Sequence, residues 1–110
     1  MSGGEAGRPA NKLRGEAEII LHGERLRLRP SFEALVAAEE ELGPLFALVE
    51  RASAGELRLT EMVALFWHCR DGWPGGIGRA ELGEAVAAQG LAATAPVLKA
   101  ILRQILAGNA

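Results

Sequence analysis

The segment 67–71, Trp-His-Cys-Arg-Asp, is where side chains able to act as nucleophile, base and acid gather in this sequence. A cysteine beside a histidine and an aspartate could serve thiol catalysis or metal binding. On a helix, however, side chains that face one another are three or four residues apart, so these three neighbours point in different directions. Cys69 also continues an apolar face with Leu65 and Phe66. We therefore expect a buried, inert thiol and no catalytic residue.

Metal and cofactor sites are not favoured elsewhere. His22 and His68 are far apart in sequence, and no second pair of ligands accompanies them. A calcium loop beginning at Arg70 would place Glu81 at its twelfth position, but Arg70 cannot supply the oxygen required at the first. The glycine-rich segment 72–78 lacks the Lys-Ser/Thr pair that a phosphate-binding loop carries. The three glutamates at 39–41 have no acid or base at a spacing that would let them work together in catalysis. We predict no catalytic residue, no metal and no cofactor, hence no enzyme.

Composition indicates one mainly helical domain. The chain has 110 residues, and alanine, leucine and valine dominate its apolar fraction while aromatics make up 5 %. A net charge of −2 gives no electrostatic reason to expect nucleic acid binding. The single cysteine, Cys69, suits a reducing compartment. Since no apolar run approaches the roughly 18 residues of a membrane span, and segment 1–9 lacks the apolar core of a signal peptide, we expect a cytoplasmic protein with no membrane partner.

A β-hairpin is predicted from alternating residues after Glu16. A two-residue turn at Gly23-Glu24 would place Leu21 opposite Leu26 and Ile19 opposite Leu28. It would also pair the charges of Glu18 and Arg29 across the strands. Such a hairpin is marginal alone in water, so we expect its apolar face to pack on helices.

Five helices are predicted after the hairpin. Ser31 is the expected N-cap of the first, which ends at Gly43. The buried stripe expected for this helix is Phe32, Leu35, Val36 and Leu42. The other four are expected to start near Pro44, Thr60, Arg79 and Thr94, with Thr60 and Thr94 as caps.

Three aromatic residues are candidates for partner binding. Trp73 lies in a loop, where a large ring is either tucked under the helices or offered to a partner. Phe46 and Trp67 lie at the margins of their helices' apolar faces, and periodicity alone does not decide whether they are buried. The alanine-rich fourth and fifth helices could also form a groove or a homo-oligomeric face.

The order of several short segments resembles the tail proteins of phages and gene transfer agents. These segments are Gly-Glu at 23–24, Leu-Arg-Leu-Arg-Pro-Ser-Phe-Glu-Ala-Leu at 26–35, Glu-Glu-Leu-Gly at 40–43, Arg-Ala-Glu-Leu-Gly-Glu at 79–84 and Gly-Leu-Ala-Ala at 90–93. The resemblance covers roughly residues 13–107. It is to small proteins described either as tail tube proteins or as tail assembly chaperones, and it implies a non-enzymatic role in tail morphogenesis. It carries over no site residues.

Together these observations predict an α+β, mainly α fold. A flexible tail over residues 1–12 would precede a single domain over 13–110, in which an N-terminal β-hairpin packs on a bundle of about five short helices. The function expected from the resemblance is that of a tail assembly chaperone that binds the tape measure protein. Two alternatives stay open: a structural, tube-associated tail subunit retained in the particle, and a small regulatory interaction domain.

Overall fold

The computed structural model describes residues 17–108. A three-stranded antiparallel sheet of order β1-β2-β3 and five helices make up these residues. The strands are β1 (Ala17–Leu21), β2 (Glu24–Leu28) and β3 (Arg70–Asp71), and the helices are α1 (Phe32–Leu42), α2 (Leu45–Ser53), α3 (Leu59–His68), α4 (Arg79–Gln89) and α5 (Leu91–Ala107). The predicted α+β, mainly α fold is confirmed. The predicted tail over residues 1–12 lies outside the described residues.

The hairpin turn is His22-Gly23, so the prediction of Gly23-Glu24 was wrong by one residue. Leu21 pairs with Glu24 across the turn. The φ angles of His22 and Gly23 are +52° and +78°. A type I′ turn, which matches the twist of its strands, has two positive φ values, and histidine is among the residues that tolerate this region better than most.

The strand register consequently differs from the predicted one by two residues. Ile19 lies opposite Leu26 rather than Leu28, and Glu18 lies opposite Arg27 rather than Arg29. Because side chains alternate with a period of two, this even difference leaves the same residues on the core face. The buried apolar residues of the two strands are Ala17, Ile19, Leu21, Leu26 and Leu28.

A third strand, which the sequence analysis missed, joins the hairpin to α3. Arg70 and Asp71 of β3 pair with Leu28 and Arg27 of β2. The backbone N–H of Arg29 also donates to the carbonyl of Cys69, with 2.7 Å between nitrogen and oxygen. A two-residue strand of an arginine and an aspartate carries no alternating pattern, so its sequence gave no signal.

Helix α3 is the centre of the core. Its five consecutive residues 62–66 are all buried, and it packs against both α1 and α4. It begins at Leu59, with the backbone N–H of Arg58 donating to Oε1 of Glu61 at 2.9 Å, so the predicted cap at Thr60 was wrong. A side-chain nitrogen of Arg51 donates to the other Glu61 oxygen, which ties the end of α2 to the start of α3.

Helix α1 packs on α3 through alanines. The Ser31 N-cap is confirmed, since its Oγ accepts the backbone N–H of Ala34 at 3.2 Å. The buried residues of α1 are Ala34 and Ala38, whereas the Phe32 side chain is 84 % exposed. The predicted stripe was therefore wrong in placing Phe32 and Val36 in the core. Small side chains let two helices approach closely, and Phe32 and Val36 lie on the side of α1 that faces solvent.

Helix α4 starts at Arg79 as predicted, but α5 starts earlier than predicted. Gly90, at φ +90°, lets α5 begin at Leu91 directly after a bend of 118° between the two helices. Thr94 is therefore no cap: it lies buried within α5, and its Oγ1 donates within the helix to backbone carbonyls of the preceding turn. Among the described residues no single helix is long and apolar enough to cross a membrane, although the bent α4–α5 pair together reaches that length and composition.

Two phenylalanines in contrasting positions test this arrangement of the core. Phe66→Ala removes a fully buried ring from α3, and we expect the free energy of unfolding to fall by about 3–5 kcal/mol. Phe46→Ala is the matched control, because its ring is 80 % exposed, and we expect a change within about 0.5 kcal/mol. Urea unfolding followed by circular dichroism measures both, and equal losses in the two variants would contradict this packing.

Candidate functional site

The reactive side chains of segment 67–71 point in different directions and have different surroundings. Cys69 is buried at the end of α3, and burial raises the pKa of its thiol to about 12, which keeps it protonated at neutral pH. His68 Nε2 lies 2.7 Å from Oε1 of Glu41, and Asp71 pairs with Arg27 across the sheet at 3.4 Å. Three candidate groups thus have three separate structural partners. Over residues 17–108, no three His, Cys, Asp or Glu side chains are grouped to hold a metal ion.

Glu41 is the centre of a polar link between α1, α3 and α4. Besides His68, it accepts two hydrogen bonds from the Arg79 guanidinium, at 2.7 and 3.1 Å. These contacts hold the pKa of Glu41 at about 2, with the Arg79 hydrogen bonds the larger cause and His68 the next. The Glu41 carboxylate is therefore ionised at all but strongly acidic pH, which suits a structural ion pair rather than proton transfer.

The two tryptophans lie together at the edge of β3. Their rings meet edge to face with 6.4 Å between centroids. The indole N–H of Trp73 donates to the carbonyl of Arg27 at 2.6 Å, and the Arg70 guanidinium lies 3.5 Å above the Trp67 ring. Both side chains are partly buried against the core. Trp73 thus fastens the 72–78 loop to the sheet, and its partner-binding role, like that of Trp67, stays a prediction.

Phe46 lies on a different face of the protein, in an apolar groove where α1, α2 and α5 meet. Its ring is 80 % exposed, and Leu106 across the groove is 60 % exposed. The groove, which we call the Phe46 groove, has a volume of about 230 Å³. Its lining residues are Leu35, Glu39, Leu45, Phe46, Val49, Ile105 and Leu106.

The exposed side of α1 extends this apolar surface. Phe32, Leu35, Val36 and Glu39 follow the i, i+3, i+4, i+7 spacing of one helix face, and Leu35 and Glu39 line the Phe46 groove. Phe32 and Val36 are exposed. Large exposed apolar residues gathered in one place indicate an interaction surface rather than chance.

A second groove lies between the start of α3 and the start of α5. This Leu91 groove has a volume of about 210 Å³, and its lining residues are Ala52, Gly55, Leu57, Arg58, Leu59, Met62, Leu91, Ala95 and Leu98. Leu91 and Leu59 are 58 % and 43 % exposed. Both grooves are therefore rimmed by apolar side chains that a partner could cover.

Charge is unevenly distributed around the Phe46 groove. Glu33 and Glu40 on α1 and Glu50 on α2 are exposed, and within residues 17–108 they have no ion-pair partner. Helix α1 carries no lysine or arginine. On α5, Arg103 lies one turn before Leu106. Of these α1 and α2 carboxylates none lines the groove; the lining carboxylate is that of Glu39, whose Oε2 accepts the backbone N–H of Leu45 at 3.2 Å.

The predicted site residues thus fall into two places, with Trp67 and Trp73 together and Phe46 apart. Sequence reasoning missed Leu106, which lines the groove with Phe46, and placed Phe32 in the core although it is exposed on the face of α1 that carries Leu35 and Glu39 of the groove. Alanines at positions 34 and 38, one helical turn apart, were the available signal that another face of α1 is buried.

Glu41 gives this region a measurable pH dependence. Because its pKa is about 2 in the folded protein and 4.5 ordinarily, the ionised form stabilises the fold above about pH 4.5, and that stabilisation is lost as the pH falls towards 2. We expect Glu41→Gln to be less stable than the parent at pH 6, with the difference shrinking to nothing near pH 2. Urea unfolding at several pH values measures it. Glu40→Gln is the control. If that variant showed the same pH-dependent loss of stability, the contacts of Glu41 would not be its cause.

A comparison with known protein families identifies the family of this chain. The family described as phage tail tube protein, GTA-gp10, matches residues 14–108, which is most of the chain. No curated protein and no solved structure is significantly similar. The chain therefore belongs to the phage tail tube protein, GTA-gp10, family, with a structural or morphogenetic role in a phage-type tail.

Proposed function

We propose that this protein is a tail assembly chaperone that covers a helical segment of the tape measure protein until tail subunits enclose it. The observation that carries the proposal is the exposed apolar surface around Phe46, Phe32 and Leu106. An amphipathic helix binds by laying its apolar face into such a groove. A long helical protein that is not yet enclosed needs this kind of cover, since its apolar stripe would otherwise face water.

The short strands favour a chaperone over a tube subunit. A tube wall made of continuous sheet needs each subunit to contribute strands to a closed barrel. The strands among residues 17–108 are five, five and two residues long, and the sheet is occupied in packing on the helices. We infer that the chain accompanies assembly rather than forming the wall.

The proposal includes three further elements. The protein acts without catalysis, and the buried Cys69 and the structurally paired His68 and Asp71 support that view. It needs no cofactor and binds no nucleic acid, in keeping with its net charge of −2. Its site of action is the cytoplasm of the producing cell, where the unassembled partner would be exposed.

A structural tail subunit is the second candidate, and the description of the family as a tail tube protein favours it. A subunit would remain in the finished particle at a fixed copy number, whereas a chaperone would leave. The same apolar surface would then be covered by neighbouring subunits of the tail.

The copy number of the protein in purified particles separates the two candidates. We expect it to be absent or far below the abundance of the tube subunits, because a chaperone is released when its partner is enclosed. Quantitative mass spectrometry of purified particles, with the tube subunit as the internal reference, is the measurement. A copy number comparable with that of the tube subunit would establish the structural role instead.

Co-expression with the tape measure protein tests the binding surface. We expect a soluble complex on size exclusion with the parent chain and its loss with Phe46→Asp, since a carboxylate would have to be desolvated in the groove. Ala80→Asp is the control, because it adds the same charge at an exposed position of α4 outside both grooves. A complex that survives Phe46→Asp, or that Ala80→Asp also removes, would contradict the assignment of this surface.

A further inference from the structure

Arg70 presents a guanidinium that the fold holds in one orientation. Its Nε donates to the carbonyl of Trp67 at 2.6 Å, and its Cζ lies 3.5 Å from the centroid of the Trp67 ring. The side chain is exposed, and no carboxylate among residues 17–108 forms an ion pair with it. Because Nε is used within the protein, the N–H donors on the two terminal nitrogens are the ones that remain for a ligand.

Arg79 brings a second guanidinium to the same indole ring. Its Cζ lies 5.9 Å from the centroid of the Trp67 ring, and Glu41 balances its charge through hydrogen bonds of 2.7 and 3.1 Å. The pKa of Arg70 is lowered, first by partial burial and then by the charge of Arg79, which is the direction expected when a second cation is near. We call Trp67, Arg70 and Arg79 the Arg70 patch.

The carboxylates beside this patch already have partners. Glu41 has His68 as a further partner, at 2.7 Å. Asp71, the neighbour of Arg70 on β3, pairs with Arg27 across the sheet at 3.4 Å. Arg70 is therefore the guanidinium of the patch whose charge is not balanced within the described part of the chain.

The geometry of the Arg70 patch favours one carboxylate over a polyanion. A guanidinium held in one plane offers parallel N–H donors that match the two oxygens of a carboxylate. Nucleic acid binding instead requires many cations along the phosphates, whereas this patch has one unbalanced guanidinium beside the carboxylates of Glu41 and Asp71. The net charge of −2 also opposes a polyanion. Arginine and tryptophan are, in addition, the residue types that contribute most at protein interfaces.

We infer that the Arg70 patch binds an aspartate or glutamate side chain of a partner protein. The terminal nitrogens of Arg70 donate to the two carboxylate oxygens, while the ring and the carbonyl of Trp67 hold the guanidinium in place. This assigns Trp67 a positioning role at an interface. The inference goes beyond the proposed function, since no residue of the patch lines the Phe46 groove.

A pair of short peptides tests this binding. Gly-Leu-Glu-Leu-Gly with blocked ends supplies one carboxylate, and Gly-Leu-Gln-Leu-Gly is its uncharged counterpart. Each is titrated at low salt into the ¹⁵N-labelled full chain, and the NMR shifts of the Trp67 indole N–H and the Arg70 Nε–H report both affinity and location. We expect the glutamate peptide to bind at least about tenfold more tightly than the glutamine peptide, and added salt to weaken it.

Substitution of Arg70 separates charge from geometry. We expect Arg70→Gln to weaken binding of the glutamate peptide about tenfold or more, because both donors and the charge are lost. Arg70→Lys should weaken it about threefold, since lysine keeps the charge but not the parallel donors. Arg103→Gln is the matched control: it removes an exposed arginine of α5 outside the patch, and we expect unchanged affinity.

Glu41→Gln should change the affinity in the opposite direction. Without this carboxylate the charge of Arg79 is no longer balanced, so a bound carboxylate is attracted by two cations. We expect binding of the glutamate peptide to become about twofold or more tighter at low salt. Unchanged or weaker binding in this variant would contradict a site at the Arg70 patch.

Several results would overturn the inference. Equal binding of the two peptides, or unchanged binding after Arg70→Gln, would leave Arg70 only the role of a cation at the C-terminal end of α3. A single-stranded oligonucleotide that binds much more tightly than the peptide, and that Arg70→Gln releases, would make nucleic acid the ligand. A dimer that Arg70→Gln dissociates would make a second copy of the chain the partner.

The peptide assay and the tail experiments fail independently. The absence of peptide binding would remove the Arg70 site and leave a complex formed through the Phe46 groove unaffected. The absence of a complex with the tape measure protein would contradict the chaperone proposal and leave the Arg70 site unaffected. Circular dichroism and urea unfolding of each variant verify that it is folded before binding is compared.

Discussion

Burial of residues 62–66 of α3 on all sides is the constraint on which the rest of the structure depends. A helix segment that exposes no face needs neighbours around its circumference, and α1 and α4 pack against it. Its ends need partners for backbone groups that no helix can satisfy internally. Glu61 provides one at the start, and the pKa of this carboxyl is lowered chiefly because the Arg58 backbone N–H donates to it, with Arg51 adding to the effect. At the other end, the carbonyl of Cys69 accepts the N–H of Arg29 and fixes the helix to the sheet.

The surface proposed for partner binding is a consequence of that constraint. Because α1 reaches α3 through Ala34 and Ala38, Phe32 and Val36 lie outside the core. They are exposed on the face of α1 whose Leu35 and Glu39 line the Phe46 groove. The polar side chains lie within the fold instead: Glu41 binds both His68 and Arg79, and these contacts join three helices. In this protein the polar clusters stabilise the fold, and the apolar surface is left exposed.

The sequence predicted the elements better than their contacts. Ser31 and Gly43 marked the two ends of α1 correctly, because a serine cap and a glycine satisfy local backbone requirements. Which face of α1 is buried depends on how closely α3 approaches, and that distance is a property of the pair rather than of either segment. The strand β3 likewise exists because β2 offers an edge to it, not because Arg70 and Asp71 favour extended structure. The sequence therefore predicted only part of the candidate site. Phe46 was a candidate, whereas the exposure of Phe32 and Leu106 depends on tertiary packing.

The hairpin register also sets how members of this family can differ in length. A slip of two residues between β1 and β2 leaves the buried set unchanged, as the comparison of predicted and observed registers demonstrates. A slip of one would reverse one strand relative to the other: with β1 fixed, Arg25 and Arg27 would replace Leu26 and Leu28 on the core face and bury charge. Insertions near the tip are therefore compatible with the core in pairs, while a single inserted residue has to be absorbed by a bulge or a longer turn. Such changes would also move His22 away from Glu81, 2.7 Å from it in this chain, and release the tip from α4.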